Sequence, residues 1–119
     1  MQVTHIFCAD DNSGDTCLGD KQIELIPQGQ YGSFSELQAG PGVQFREAPA
    51  DYDSGWHTVP HALYLILLSG QLKITTGDGQ SRVLTTGDII LAEDTQGNGH
   101  HTVALNGQPV RSVMVPLHN

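Results

Sequence analysis

Residues 55–70 read GWHTVPHALYLILLSG and residues 87–101 read GDIILAEDTQGNGHH. Each stretch joins histidine to a short run of strand-forming apolar residues and is punctuated by glycine, and five of the six histidines lie beyond position 56. Histidines delivered by strands distant in sequence can converge in the mouth of a small β-barrel. There a neutral imidazole serves as a metal ligand or as part of a small-molecule site.

Turn signals recur every seven to ten residues at Gly70, Gly77 and Gly79, Gly87, Gly97 and Gly99, and Gly107. That rhythm predicts short antiparallel strands. Asp78-Gly79 and Asn106-Gly107 accept positive φ in tight turns, and each predicts a hairpin: residues 72–76 with 82–84, and 101–105 with 110–115. Residues 23–26, 31–37, 43–47 and 53–59 read as further strands, and 2–7 as an additional edge strand. No window holds an apolar i, i+3, i+4, i+7 pattern through several turns, so the chain is all-β. Residues 62–68 are apolar on both period-2 faces, which predicts a strand covered from two sides, by the barrel interior and by a partner subunit, hence a homodimer.

The 119 residues suffice for one domain, residues 1–119, that buries roughly two-thirds of its unfolded surface. Thirteen carboxylates against five Lys and Arg give a net charge of −8, which repels phosphate backbones and anionic lipid, so neither nucleic acid nor membrane is expected as a partner. The opening residues, MQVTHIFCADDNSGD, form no basic-then-apolar leader, and the longest apolar run falls far short of the ~20 residues of a membrane span. A cytoplasmic protein is expected. Cys8 and Cys17 are too few for a disulfide framework or a structural zinc site, which favours a reducing compartment and leaves a bridge between them open. The acidic residues 10–15 lack the ligand order of a calcium loop and read as a solvated turn. No Gly-x-Ser-x-Gly elbow and no phosphate-cradling glycine loop occurs.

The two opening stretches resemble the motifs of the cupin superfamily, and the chain is similar to its small single-domain members. The first family motif carries a His-x-His pair and a glutamate, the second a histidine followed by an asparagine. Counted back from Gly70, His57 falls at the first histidine, Val59 at the second and Leu63 at the glutamate. In the second motif Gly87 and Asp88 open the strand, His100 follows Gly97, and Ala104 stands at the asparagine. The resemblance spans about residues 56–105 and implies a double-stranded β-helix, a jelly-roll barrel with its site in the mouth. It also implies one divalent ion (Zn, Fe, Mn or Ni), with two of the three ligands of the first motif replaced.

A divalent ion in a catalytic site needs about three protein ligands and an open position. His57, His100 and His61 are the candidates. Strand alternation puts 57, 59, 61 and 63 on one face, so His61 could replace the ligand absent at 59, although Pro60 argues for an irregular segment there. Motif spacing selects His100 over His101, with small Thr102 and Ala104 as inward companions, whereas the burial pattern favours His101 beside Val103 and Leu105. Asp94 either caps the Gly97-x-Gly99 turn or ligates. Trp56 and Tyr64 are expected to line a ligand pocket, Tyr64 or His61 to shuttle protons, and Arg46 to meet a carboxylate ligand or form an internal ion pair. Three function classes remain: a metal-assisted enzyme on a sugar or organic acid, a metal-free binder or sensor of a small molecule, and a structural domain with a vestigial cavity.

Overall fold

The computed structural model describes residues 1–118. Twelve short strands run in chain order: β1 (Gln2–Cys8), β2 (Thr16–Gln22), β3 (Ile26–Pro27), β4 (Ser33–Phe34), β5 (Gln44–Ala48), β6 (Asp53–His57), β7 (Leu63–Ser69), β8 (Leu72–Thr75), β9 (Ser81–Leu84), β10 (Ile89–Ala92), β11 (His100–Ala104) and β12 (Val110–Pro116). One 3-10 turn, Gly29–Tyr31, is the only helical element among the described residues. Strands β2-β1-β10-β7-β12-β5 form a six-stranded sheet, β6-β11-β8-β9 a four-stranded sheet, and β3-β4 a two-stranded ribbon. The two larger sheets enclose one apolar core, with Ile6, Leu67, Ile74 and Leu84 at its most buried points. This is the all-β jelly roll expected from the turn spacing.

One predicted hairpin forms and the other does not. Strands β8 and β9 pair across Asp78-Gly79, with Leu72 opposite Leu84 and Ile74 opposite Arg82. Asn106 and Gly107 do turn with positive φ of 60° and 62°, but β11 pairs with β6 and β8 while β12 pairs with β7 and β5. The turn therefore carries the chain from one sheet to the other. Residue chemistry specifies a tight reversal; it does not say whether the flanking strands pair with each other or each with a third.

Strand β1 is interior, parallel to β10 and antiparallel to β2, and the edge position belongs to β2. Register also resolves the cysteines. Cys8 pairs with Thr16 and Phe7 with Cys17, so the two sulfurs lie on opposite faces and both thiols are free. Along β7, Leu63 and Leu67 face the core, while Leu68 on the other face is 43% exposed. Part of that outer face is covered by the chain itself, since the Gln38 side chain donates to Tyr64 Oη at 3.1 Å and the His118 backbone N–H donates to the Ala39 carbonyl at 3.1 Å. No helix among the described residues is long and apolar enough to cross a membrane.

Candidate functional site

Strand β6 begins with Asp53 exposed, and strict alternation would then turn His57 outward. A bulge against β11 changes the phase: His57 pairs with His100 and Trp56 with His101, but the next registered pair is Asp53 with Val103. Two residues, Ser54 and Gly55, thus share the span opposite Thr102, and Gly55 takes the positive φ of 63° that such an extra residue needs. The Ser54 hydroxyl accepts the Thr102 backbone N–H at 2.9 Å. His57 and His100 consequently lie side by side on the inner face, and Trp56 and His101 on the outer one.

The inner pair is tightly held. Gly99, with φ of 76°, lies so close to β6 that a Cβ there would be 2.0 Å from the His57 carbonyl oxygen. The Thr16 hydroxyl donates to the Gly99 carbonyl at 2.8 Å from a fully buried position. The His57 and His100 rings stand 4.6 Å apart between centroids at 56°. His57 Nδ1 is 3.0 Å from the Thr58 carbonyl, which can only accept, so Nδ1 carries the proton. His100 Nδ1 donates to Asp94 Oδ2 at 2.6 Å. Both tautomers are fixed by groups behind the rings, which leaves both Nε2 atoms uncommitted.

Both histidines line a cavity of about 60 Å³ between the sheets. Its polar wall is completed by Thr102, Ser112, Tyr52 and Arg46, and the rest is aliphatic, with Val59, Leu63 and Leu65 among the lining residues. The Arg46 guanidinium lies over the Tyr52 ring, 4.6 Å from its centroid. Asp94 lies outside the lining and has no solvent exposure; its Oδ1 has no hydrogen-bond partner. Its backbone carbonyl accepts the Val59 N–H at 3.1 Å, which ties this loop to the segment after β6.

The structure brings together His57, His100 and Arg46 of the residues singled out from sequence, and separates the others. His61 is exposed on a bend, because β6 ends at His57 and the Pro60-His61 bend interrupts the alternation that would have turned it inward. Tyr64 is on the outer face of β7, one residue out of phase with Leu63 and Leu65, and is engaged by Gln38. Trp56 is 53% exposed and packs on His101, its ring centroid 5.8 Å from the imidazole. Thus Trp56, Tyr64 and His61 do not line the cavity. Asp94 neither caps the turn nor faces a ligand; it orients His100. His101 Nε2 instead meets Asp53 Oδ1 at 2.5 Å on the surface. The Asp53 carboxyl is held below its ordinary value by the Gly55 backbone N–H first and His101 second.

Sequence reading passed over Tyr52 and Ser112. Ser112 alternates inward with Val110 and Met114 on β12, a signal that period-2 counting contains. Tyr52 precedes β6 in the polar run APADYDSGW, where its only cue was an aromatic residue in an otherwise hydrophilic loop.

The donor set does not fit a resident divalent ion. Two imidazole nitrogens face the cavity; Val59 and Leu63, where the motif would place further ligands, are aliphatic; and the Asp94 carboxylate is turned away toward His100. Among the described residues no group of three or more His, Cys, Asp or Glu is arranged to hold a metal, whereas catalytic zinc sites use about three protein ligands.

No protein-family model matches the chain, and no curated protein matches it significantly. Solved structures do. An uncharacterised protein with a double-stranded β-helix domain from Klebsiella pneumoniae is 19% identical over 92% of this chain and 82% of that one, with a TM-score of 0.53. A Cupin 2 conserved barrel domain protein from Salinispora arenicola is 14% identical over 82% and 75%, with a TM-score of 0.55. The cupin domain of Cnp3 from Schizosaccharomyces pombe is 13% identical over 98% and 84%, with a TM-score of 0.53. The likeness establishes a shared fold, and at these identities no shared chemistry.

Proposed function

We propose that this small cupin-fold barrel binds a small polar molecule, a sugar or organic acid, between His57 and His100 and exchanges protons with it without a metal. The observation that carries this reading is the buried Asp94–His100 pair at 2.6 Å. A fully buried carboxylate costs several kcal/mol of desolvation, and aliphatic packing would serve stability at least as well. Its effect here is to fix one imidazole with Nε2 toward a cavity. A second imidazole, His57, stands beside it with the same tautomer.

Two adjacent basic nitrogens suit acid–base work on a hydroxyl, a carbonyl or the carbon next to it. Either Nε2 can accept a proton from the ligand, and the imidazolium so formed can return it at a neighbouring atom. Such a transfer is redox-neutral. For His100 the positive charge would develop against Asp94, the arrangement in which a buried carboxylate stabilises an imidazolium. Binding without turnover uses the same contacts, with Nε2 accepting from a ligand hydroxyl.

The test is a thermal-shift screen of sugars, organic acids and divalent ions with and without chelator. Stabilisation by a sugar or acid that survives chelation and is lost in His57→Ala is expected. Stabilisation by a divalent ion alone, lost in His57→Ala, would replace this reading with a metal-dependent one. No response to any compound would favour a structural barrel with a vestigial cavity.

A homodimer is proposed with it. Every residue from 24 to 45 is exposed, including Tyr31 at 75%, Phe34 at 53% and Leu37 at 101%, and Phe45 and Leu68 add to the outer apolar surface. A two-stranded ribbon is marginal on its own, and an isologous contact would cover it. Light scattering at micromolar concentration is expected to give twice the 12.8 kDa chain mass; the single mass would refute pairing.

A further inference from the structure

The cavity has one feature that proton exchange does not require. Arg46 is the only Lys, Arg, Asp or Glu among its lining residues, and no carboxylate lies within ion-pairing distance of it among the described residues. The other close Arg and Lys contacts are on the surface, Arg82 with Asp20 at 2.7 Å and Lys21 with Glu93 at 3.9 Å. Lys73 and Arg111 also lack a carboxylate partner among the described residues, but both are exposed to water; Arg46 is half-buried among aliphatic side chains, and that makes it a cation awaiting an anion.

The stacking of Arg46 on Tyr52 defines what kind. Contact with the ring, 4.6 Å from its centroid, engages the face of the guanidinium. The in-plane N–H groups stay free, and their fork matches the two oxygens of a carboxylate. One guanidinium calls for one negative charge, whereas a phosphate dianion would want a second cationic side chain, and no other Lys or Arg lines the cavity. Arg46 reaches the cavity from β5 at the edge of the six-stranded sheet, and His57 and His100 from the opposing sheet, so a ligand bridging them carries its anion and its reactive oxygen at different ends.

We propose that the ligand is a short hydroxy- or oxo-carboxylic acid whose carboxylate is bound by Arg46 and whose hydroxyl or carbonyl oxygen meets Nε2 of His57 and His100. This rests on the cavity reading above and narrows it to one substrate class. The net charge of −8 slows the approach of such an anion through bulk water but acts weakly on the contact itself, because mobile ions screen the outer charges.

The experiment is an NMR titration of the ¹⁵N-labelled protein with lactate, its neutral amide lactamide, propionate and inorganic phosphate, read at the amide signals of Thr102 and Ser112 on the two cavity walls. Lactate is expected to shift both signals. Lactamide and phosphate should bind at least about ten-fold more weakly, the scale of one charge-assisted hydrogen bond. Arg46→Met should weaken lactate by on the order of 10- to 100-fold, with Arg46→Lys in between because it keeps the charge and loses the fork. His57→Gln should retain carboxylate binding but erase the preference for lactate over propionate. Lactamide binding as well as lactate, or phosphate displacing lactate, overturns the carboxylate assignment and leaves the cavity reading standing. The comparison of acid with amide needs no variant, so a poorly folding Arg46→Met cannot rescue the idea. If no compound moves the cavity signals, this inference falls, and the cavity reading is decided by the thermal-shift screen with sugars.

Discussion

Replacing Gly99 by alanine tests the packing that places the two histidines together. Gly99 has φ of 76°, and a Cβ built on it would lie 2.0 Å from the His57 carbonyl oxygen, 2.2 Å from the His57 carbonyl carbon and 2.7 Å from the Thr58 nitrogen. These are backbone atoms, so no side chain can rotate away; β6 and β11 must separate at the His57–His100 pair. Gly79 supplies the control, with φ of 84° and nothing within 4 Å of its Cβ. Both substitutions incur the left-handed backbone penalty of roughly 1–2 kcal/mol, and both stiffen the unfolded chain alike. Only Gly99→Ala adds overpacking, about 1–3 kcal/mol or more. Urea denaturation followed by circular dichroism should therefore show Gly79→Ala lower by about 1 kcal/mol and Gly99→Ala by about 3–5 kcal/mol. At roughly 4 °C per kcal/mol for a domain of this size, the Tm values should differ by about 10 °C. Imidazole NMR signals of His57 and His100 should move in Gly99→Ala and stay in Gly79→Ala. Equal losses in the two variants would refute the idea that close backbone approach at Gly99 builds the site.

Three further outcomes are expected. Asp94→Asn removes the charge that fixes the His100 tautomer and leaves a buried amide N–H₂ unpaired; ¹⁵N imidazole shifts should show mixed tautomers and stability should fall by about 1–3 kcal/mol, whereas an unchanged tautomer would show that Asp94 does not orient the ring. The Cys17 thiol is raised above the usual 9.0 by burial first and then by Asp78, Asp11, Asp10 and Asp15, so in Cys8→Ser protein iodoacetamide labelling at pH 8 should be slow and should speed up with added salt; rapid, salt-independent labelling would contradict this. Burial pushes the Asp78 carboxyl up, but hydrogen bonds from the Thr76 hydroxyl and the Gln80 backbone outweigh it, and its pKa lies below 3.8. A depressed folded pKa contributes stability above the unfolded value and loses it as pH falls from about 3.8 through the folded pKa, so Asp78→Asn should reduce stability at neutral pH and flatten its decline below about pH 4; an unchanged acid limb counts against the hydrogen-bond account.

Sequence alone determined the fold class of this protein. Turn chemistry is local: Asp78-Gly79 bends the chain wherever it stands, and apolar runs of strand length between such turns have nowhere to go but a packed β-structure. The resemblance to the cupin motifs, counted from Gly70 and Gly97, singled out His57 and His100, whereas the burial pattern of the residues favoured His101. The tertiary structure decided everything that depends on which strand lies beside which. It sent the Asn106-Gly107 turn between sheets, placed Cys8 and Cys17 on opposite faces and, through the bulge at Ser54 and Gly55, set the phase that turns His57 inward and Trp56 outward. It ended β6 at His57, so that His61 fell on an exposed bend, and it put Asp94 behind His100 across a loop whose path no period-2 count describes. Arg46 on Tyr52 is the same kind of fact. Alternation tells which residues share a face of one strand, but a side chain's partner on another strand follows from sheet order and register, and these are settled by the packing of the whole chain.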